Sequence, residues 1–95
     1  MFMVIGACTV YMTAEWVFSL KDKRMIVKSI IEKARHKFNI SIAEVDRQDF
    51  HKNIVIGFAC VTNESSHANS IIENVIKFIE NNTDAVIDDI DIEIL

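Results

Sequence analysis

Basic residues are concentrated in one part of this 95-residue chain. Nine of the ten Lys and Arg residues lie between positions 21 and 52, together with five acids, so this segment carries a net charge of +4. Residues 53–95 hold eight acids and one lysine, a net charge of −7, and Glu15 brings the total to −4. A basic segment of this kind favours contact with phosphate groups, although a surface of mixed charge also serves solubility.

The cations most suited to binding an anion follow one predicted helix. Five residues are candidates for holding a phosphate backbone by charge alone: Lys21, Lys23, Arg24, Lys28 and Arg35. Two of them fall in the first helical turn, where the helix dipole disfavours cations, a local conflict that hints at a function. The favoured alternative is a solvated helix face whose cations pair with nearby acids.

Aromatic residues near this strip give a weaker signal. No aromatic-rich RNA-binding signature accompanies the cations. Trp16 and Phe18 could stack on a nearby base, but anchoring of their loop on the core is the favoured interpretation. Charge is therefore the only property by which the strip could hold a phosphate backbone.

A polar cluster follows in the next turn, where Glu44, Asp46, Gln48 and Asp49 precede His51. Carboxylates and a histidine at short spacing can bind a metal or share a proton. These residues fit no specific metal pattern, so neither a metal nor a cofactor is predicted. The favoured interpretation is that Asp46 and Asp49 cap the turn and pair with Lys23 or Arg24.

Residues that could act as nucleophiles have simpler roles. Three serines stand where helices begin and are expected to cap them, namely Ser19, Ser65 and Ser66. Cys8 and Cys60 lie in apolar runs, where a buried thiol stays protonated. The chain has no recognisable triad, P-loop or dinucleotide fingerprint. An enzyme would require two or more of Asp46, Asp49, His51 and His67 to converge in a cleft, so a function without catalysis is favoured.

The elements that position these residues follow from periodicity. Apolar runs predict strands at Met3–Met12 and Asn53–Thr62, and mixed patterns predict edge strands at Ile40–Asp46 and Val86–Leu95. One helix is predicted to begin at Ser19, and a second follows caps offered by Asn63, Ser65 or Ser66 and ends at Asn81-Asn82. Right-handed crossovers fold this order into one α+β domain over residues 1–95, a ferredoxin-like βαββαβ sandwich with two helices on one face of a four-stranded antiparallel sheet.

The predicted sheet has more apolar surface than the helices can cover. Both central strands are apolar on both faces, whereas the two helices cover only one. A second copy packed sheet to sheet would cover the other face, so a homodimer is expected. No apolar run approaches the length of a membrane span, and no membrane contact is predicted. The start of the chain lacks a basic leader, so a cytoplasmic location is expected.

Four groups of residues occur in order along the chain: Ser19-Leu20-Lys21-Asp22-Lys23-Arg24, then Ala43–Asp49, then Asn63, His67 and Ala68, and finally Glu93-Ile94-Leu95. Together they resemble the motifs of the YlxP-like family, small bacterial proteins of unknown function. The resemblance implies a ferredoxin-like fold and no known reaction. Family members tend to be encoded beside transcription and translation factors, an association that favours ribosomes or RNA. Glu15–Phe18 is more apolar here than the usual segment of the family.

Two functions remain open at this stage. The first is an accessory protein, without catalysis, that binds RNA or the ribosome through the basic first helix. The second is a homodimeric assembly or sensing domain that binds a small ligand at the open sheet face. A continuous exposed basic patch would favour the first function, and a polar pocket at the dimer seam would favour the second.

Overall fold

The computed structural model describes residues 2–95, which form two helices and a four-stranded sheet. The elements are β1 (Val4–Thr13), α1 (Leu20–Lys37), β2 (Ser41–Asp46), β3 (Asn53–Thr62), α2 (Ser65–Asn81) and β4 (Val86–Ile94). All neighbouring strands are antiparallel, in the order β2-β3-β1-β4. The predicted ferredoxin-like α+β sandwich is confirmed, as are the two edge strands.

The register of the central strands decides which sheet face the helices cover. Gly6 of β1 contacts α2, because a Cβ added there would lie 3.1 Å from Ile72 Cδ1 and 3.3 Å from Ala68 Cβ. The even-numbered residues of β1 and β3 therefore face the helices, and from Cys8 to Met12 and Ile54 to Cys60 they are buried. The odd-numbered residues form the open face. The sequence did not predict which face the helices cover, because both strands are apolar on both faces.

Each helix is held on the sheet by one buried stripe. In α1 the buried positions are Lys23, Val27, Ile30 and Ala34, and the Ser19 hydroxyl accepts a hydrogen bond from the Asp22 amide at 3.1 Å, as predicted for the cap. In α2 the buried positions are Ala68, Ile72, Val75 and Ile79, which have the spacing of an amphipathic helix.

The start of α2 differs from the prediction. Its N-cap is Glu64, and no side chain caps it. Ser65 and Ser66 already belong to the helix, so their predicted capping role is wrong. The extended backbone of Glu64 instead allows the Ala68 amide to donate to the Glu64 carbonyl at 3.1 Å.

Candidate nucleic-acid interface

Lys23 joins the first turns of α1 to the loop between β2 and β3. Its side chain is completely buried, with an exposed fraction of 0%. Lys23 Nζ donates to the Arg47 carbonyl at 2.7 Å and the Phe50 carbonyl at 2.9 Å, and it lies 3.5 Å from the Gln48 carbonyl. Its charge is balanced by Glu44, whose Oε2 lies 2.8 Å away and accepts no well-aligned hydrogen bond from the described residues. The ammonium group is thus enclosed by oxygen atoms.

The loop that supplies these carbonyls is shaped by its own residues. Asp46 Oδ1 accepts a hydrogen bond from the Arg47 amide at 2.7 Å, and the Phe50 amide donates to the Arg47 carbonyl at 3.1 Å. Arg47 has a φ of 52°, the left-handed region that residues other than glycine adopt at a cost. The ammonium of Lys23 binds the carbonyl of this strained residue and so helps to hold the turn closed.

Two sequence interpretations change at this point. Lys23 leaves the set of anion-binding candidates, because a cation with no exposed atom and four oxygen neighbours cannot reach a phosphate. The acid that pairs with Lys23 is Glu44; Asp46 caps the Arg47 amide, and Asp49 is exposed. The signal that was missed is spacing, since Lys23, Val27, Ile30 and Ala34 form one helical stripe.

Three of the remaining strip cations converge on one groove between α1 and β2. The groove has a volume of about 310 Å³, and its lining consists of Arg24, Val27, Lys28, Ile31, Glu32, Arg35 and Glu44. Val27 and Ile31 provide an apolar floor. Lys21 is exposed at the start of the same helix but does not line the groove. The predicted strip is therefore divided into one buried cation, one separate cation and three that share a groove.

Charges in this groove are only partly neutralised. Glu44 is compensated by Lys23 from beneath. Lys28 Nζ and Glu32 Oε1 are 4.0 Å apart and both exposed, and pairs of this kind contribute little. Arg35 donates to the Ile42 carbonyl at 3.1 Å, which holds its guanidinium beside β2. Among residues 2–95, neither Arg24 nor Arg35 forms an ion pair with a carboxylate, so both charges are available to an anion.

A second basic groove lies where α1 and α2 end. It has a volume of about 450 Å³ and is lined by Lys37, Phe38, Asn74, Lys77, Phe78, Asn81 and Asn82. Lys37 Nζ lies 5.2 Å from the centre of the Phe78 ring, and Phe38 meets that ring edge to face. Lys37 also complements the negative C-terminal end of α1. Its charge therefore has local partners that Arg24 lacks.

Residues that would be needed for catalysis are far apart. His67 Nδ1 lies 3.1 Å from Thr62 Oγ1, after the end of β3, whereas Asp46, Asp49 and His51 precede its start. A ten-residue strand separates these places by about 30 Å. No group of three metal-binding side chains occurs within residues 2–95. His67 therefore cannot share a site with the polar cluster.

The two thiols belong to the core. Cys8 and Cys60 are free and buried in adjacent central strands. Burial raises the pKa of the Cys8 thiol to about 11, and the negative charge of Asp91 adds to this shift. The predicted structural role of Cys8 as a protonated apolar side chain agrees with this environment.

The open sheet face has a central apolar area and an acidic border. Small side chains lie at its centre, contributed by Ala7 and Thr9 of β1 and by Gly57 and Ala59 of β3. Along β4, Asp89, Asp91 and Glu93 are paired with the open-face residues of β1. The Tyr11 hydroxyl donates to Asp91 Oδ2 at 3.4 Å across this border.

Comparison with known proteins gives a family and a fold. Residues 5–92 match the model of a family described as a protein of unknown function, DUF503. The chain belongs to this family. This DUF503 chain is also similar to the uncharacterized protein YlxP of Bacillus subtilis (strain 168), with 34% identity over 62 residues, which are 65% of this chain and 67% of YlxP. The resemblance inferred from the sequence motifs is confirmed.

Two of the solved structures similar to this DUF503 chain are designed proteins. The designed protein Foldit4 has a TM-score of 0.58 and 10% identity, with 99% of this chain and 97% of that chain covered. A designed protein with a ferredoxin fold has a TM-score of 0.58 and 14% identity, with coverages of 98% and 85%. Identities this low concern the fold alone. No helix of the described residues is long and apolar enough to span a membrane.

Proposed function

We propose that this DUF503 protein is an accessory protein, without catalytic activity, that binds RNA through the groove between α1 and β2. The observation that carries the proposal is the convergence of Arg24, Lys28 and Arg35 on one exposed groove. Phosphate groups bound there would gain from two guanidinium groups, which match phosphate geometry better than ammonium groups do. Glu44 does not oppose this binding strongly, because Lys23 balances its charge.

The distribution of charge over the fold supports the same orientation. The cations of α1 lie over the β2 edge of the sheet, and the acids of β4 lie along the opposite edge. A polyanion that approaches this molecule would be attracted to the first edge and repelled by the second. The net charge of −4 therefore does not argue against RNA binding, because the electrostatic potential near α1 depends mainly on the cations close to it.

RNA binding by fluorescence anisotropy tests the proposal. The double variant Arg24→Glu/Lys28→Glu should lose binding to a 12-nucleotide RNA. The matched control Lys33→Glu/Lys77→Glu changes net charge by the same amount, replaces Lys77 of the second basic groove and should bind like the wild type. Since each neutralised phosphate makes binding salt-dependent, three contacts should weaken wild-type affinity on the order of tenfold between 50 and 200 mM salt.

Each result of this experiment has a defined meaning. Loss of binding only in the control variant would move the site to the ends of the two helices. An equal loss in both variants would reduce the effect to net charge, and no binding by the wild type would reject an RNA function. Co-sedimentation with ribosomal subunits at the same two salt concentrations then asks whether the RNA is ribosomal.

We also propose that the protein forms a homodimer through the open sheet face. The observation that supports this proposal is the exposure of apolar side chains on that face. Val61 is 67% exposed and Val45 is 51% exposed, and both border the small residues of the open face. The small side chains of Ala7, Thr9 and Ala59 allow another sheet to approach closely. A twofold arrangement needs a patch that complements itself, and a patch of small side chains without projecting groups satisfies that condition. A small ligand at this seam would require a polar pocket, which the apolar centre does not favour.

A further inference from the structure

The loop between β1 and α1 exposes its aromatic residues. Val17 and Ala14 anchor this loop, since they are 2% and 0% exposed. Phe18 is 81% exposed and Trp16 is 47% exposed. The sequence favoured aromatic anchoring of the loop on the core, and that interpretation is wrong because the small aliphatic neighbours fill this role. The Phe18 side chain is thus left largely in solvent, whereas Trp16 is half-exposed in a groove that it lines together with Met25 and Ile26 of α1.

A third exposed aromatic residue lies at the same end of the sheet. The pairing of Thr13 with Asn53 brings the end of β1 beside the start of β3, so the loops at 14–19 and 47–52 are neighbours. The Ala14 amide donates to the Lys52 carbonyl at 2.8 Å, which joins these loops directly. Phe50 is 60% exposed in the second loop. Phe18 and Phe50 together are named the aromatic end, and Trp16 lies close to it in the chain, two residues before Phe18.

Cations accompany the aromatic end. Lys52 Nζ lies 5.9 Å from the centre of the Phe18 ring and 3.6 Å from Glu15 Oε2. Lys21 and Arg24 stand in the first turns of α1, directly after Phe18 in the chain. The backbone of Phe50 is fixed against these turns by its bond to Lys23. The aromatic end is thus continuous with the basic groove, which runs from Arg24 to Arg35 over about 16 Å of helix.

We infer that the aromatic end stacks the bases of single-stranded RNA while its phosphates continue into the α1–β2 groove. The inference rests on the proposed RNA function and narrows its ligand to unpaired RNA. Exposed aromatic rings beside a basic groove are the two parts that proteins combine to bind single strands without reading sequence. Exposed rings alone would be sufficient to bind a protein partner. The adjacent Lys21, Arg24 and Lys52 favour an anionic ligand instead.

The test compares a ligand with bases and a ligand without them. The probes are fluorescein-labelled oligoadenylate of 12 nucleotides and inorganic polyphosphate, which competes for the cations only. The variant Phe18→Leu/Phe50→Leu keeps apolar side chains and removes the rings, and Phe18→Tyr/Phe50→Tyr restores rings. Trp16 is the only tryptophan, so its fluorescence reports binding at this end without a label.

The expected result is selective loss of oligoadenylate binding. The Leu variant should bind oligoadenylate about tenfold more weakly, because stacking of one base on an aromatic ring contributes to affinity on this order. Its affinity for polyphosphate should be unchanged, and the Tyr variant should bind both probes like the wild type. Oligoadenylate should quench Trp16 fluorescence, and polyphosphate should not.

Other results overturn the inference in distinguishable ways. If the Leu variant binds oligoadenylate as well as the wild type, or if a 12-base-pair duplex binds equally well, stacking is excluded while the basic groove stands. If neither probe binds the wild type, the proposed RNA function fails as well. If the Leu variant instead loses self-association in sedimentation velocity, the aromatic end is a protein contact.

Discussion

At the residue scale, the buried cation Lys23 is the feature that connects the two motifs of the first helix and the following turn. Its ammonium group forms an ion pair with Glu44 and donates hydrogen bonds to the carbonyls of Arg47 and Phe50. A buried ion pair of this kind adds little stability compared with an apolar pair, but losing one partner leaves a charge and several carbonyls without compensation. Its main effect is to fix where the loop carrying Phe50 lies.

We predict that Lys23→Met lowers the free energy of unfolding by about 3 kcal/mol, measured by urea denaturation. The matched variant Lys21→Met, which changes an exposed lysine in the same turn, should change it by less than about 0.5 kcal/mol. Adding Glu44→Gln to Lys23→Met should recover part of the loss, because the uncompensated charge is removed. Equal stabilities of the two single variants would refute the role assigned to Lys23.

A second residue-scale prediction concerns Tyr11, the only tyrosine. Burial and then the charge of Asp91 raise the pKa of its hydroxyl above 10. Ultraviolet titration of the native protein should give a midpoint above that of the unfolded chain. Because the folded state holds this proton more tightly, the associated stability is present below pH 10 and is lost as pH rises through the folded pKa.

The Asp91→Asn variant should lower the tyrosine midpoint towards 10. Asp88→Asn is the matched control, since Asp88 accepts from Thr13 and is not among the groups that shift Tyr11. A midpoint that is the same in all three proteins would show that Asp91 does not act on Tyr11.

At the element scale, the two glycines mark different kinds of close approach. A Cβ at Gly6 would meet Cys60 Sγ at 3.1 Å as well as two side chains of α2, so it stands where the helix lies nearest to the sheet. A Cβ at Gly57 would meet Val45 Cγ1 at 2.9 Å, which belongs to a half-exposed side chain on the edge strand. The first contact is fixed by packing of a whole helix, and the second can move.

We predict that Gly6→Ala lowers the free energy of unfolding by about 2 kcal/mol, the usual cost of overfilling a packed core. Gly57→Ala should cost less, and Val45→Ala introduced beside it should remove the remaining cost. Thermal or urea denaturation measures both. A Gly57→Ala variant that is as unstable as Gly6→Ala, with no recovery from Val45→Ala, would contradict the distinction.

Prediction from sequence was accurate where one periodic pattern dominated. The apolar stripe of α2 fits only a helix with one buried face. The alternation of Ile90, Ile92 and Ile94 in β4 fits only a strand with one buried face. It was inaccurate where the pattern was ambiguous or broken by a polar residue. Lys23 occupies a core position of α1, and charge alone assigned it to the surface. The apolarity of Phe18 predicted a place in the core. The buried Val17 already anchors this short loop, so the Phe18 side chain remains exposed.

At the scale of the whole molecule, the basic α1–β2 side and the acidic β4 edge are separated by the two central strands. The two proposed contacts use different surfaces, since RNA would lie on α1 and the aromatic end while a second copy would cover the open sheet face. Neither contact therefore excludes the other. A dimer would present two RNA-binding grooves, and long RNA could engage both.

We predict that the purified protein is a dimer in sedimentation velocity at micromolar concentration. Val61→Lys should shift it to the monomer, because an isologous contact would bring charged side chains of both copies together. Met25→Lys, which changes an apolar residue of similar exposure on α1, is the control and should leave the mass unchanged. A wild-type monomer, or a dimer insensitive to Val61→Lys, would refute the open-face dimer.

Each edge of the sheet has a feature that opposes the formation of fibrils. An edge strand presents unpaired backbone groups that invite another chain to add itself and continue the sheet. In β4 the edge carries Asp88, Asp89, Asp91 and Glu93, so two such edges repel each other. In β2 the edge is only six residues long and its register is interrupted between Glu44 and Asp46. The negative charges of β4 oppose addition of a strand at one edge, and the short, irregular β2 opposes it at the other. Two copies of the chain can therefore associate more readily through their sheet faces than through their edges.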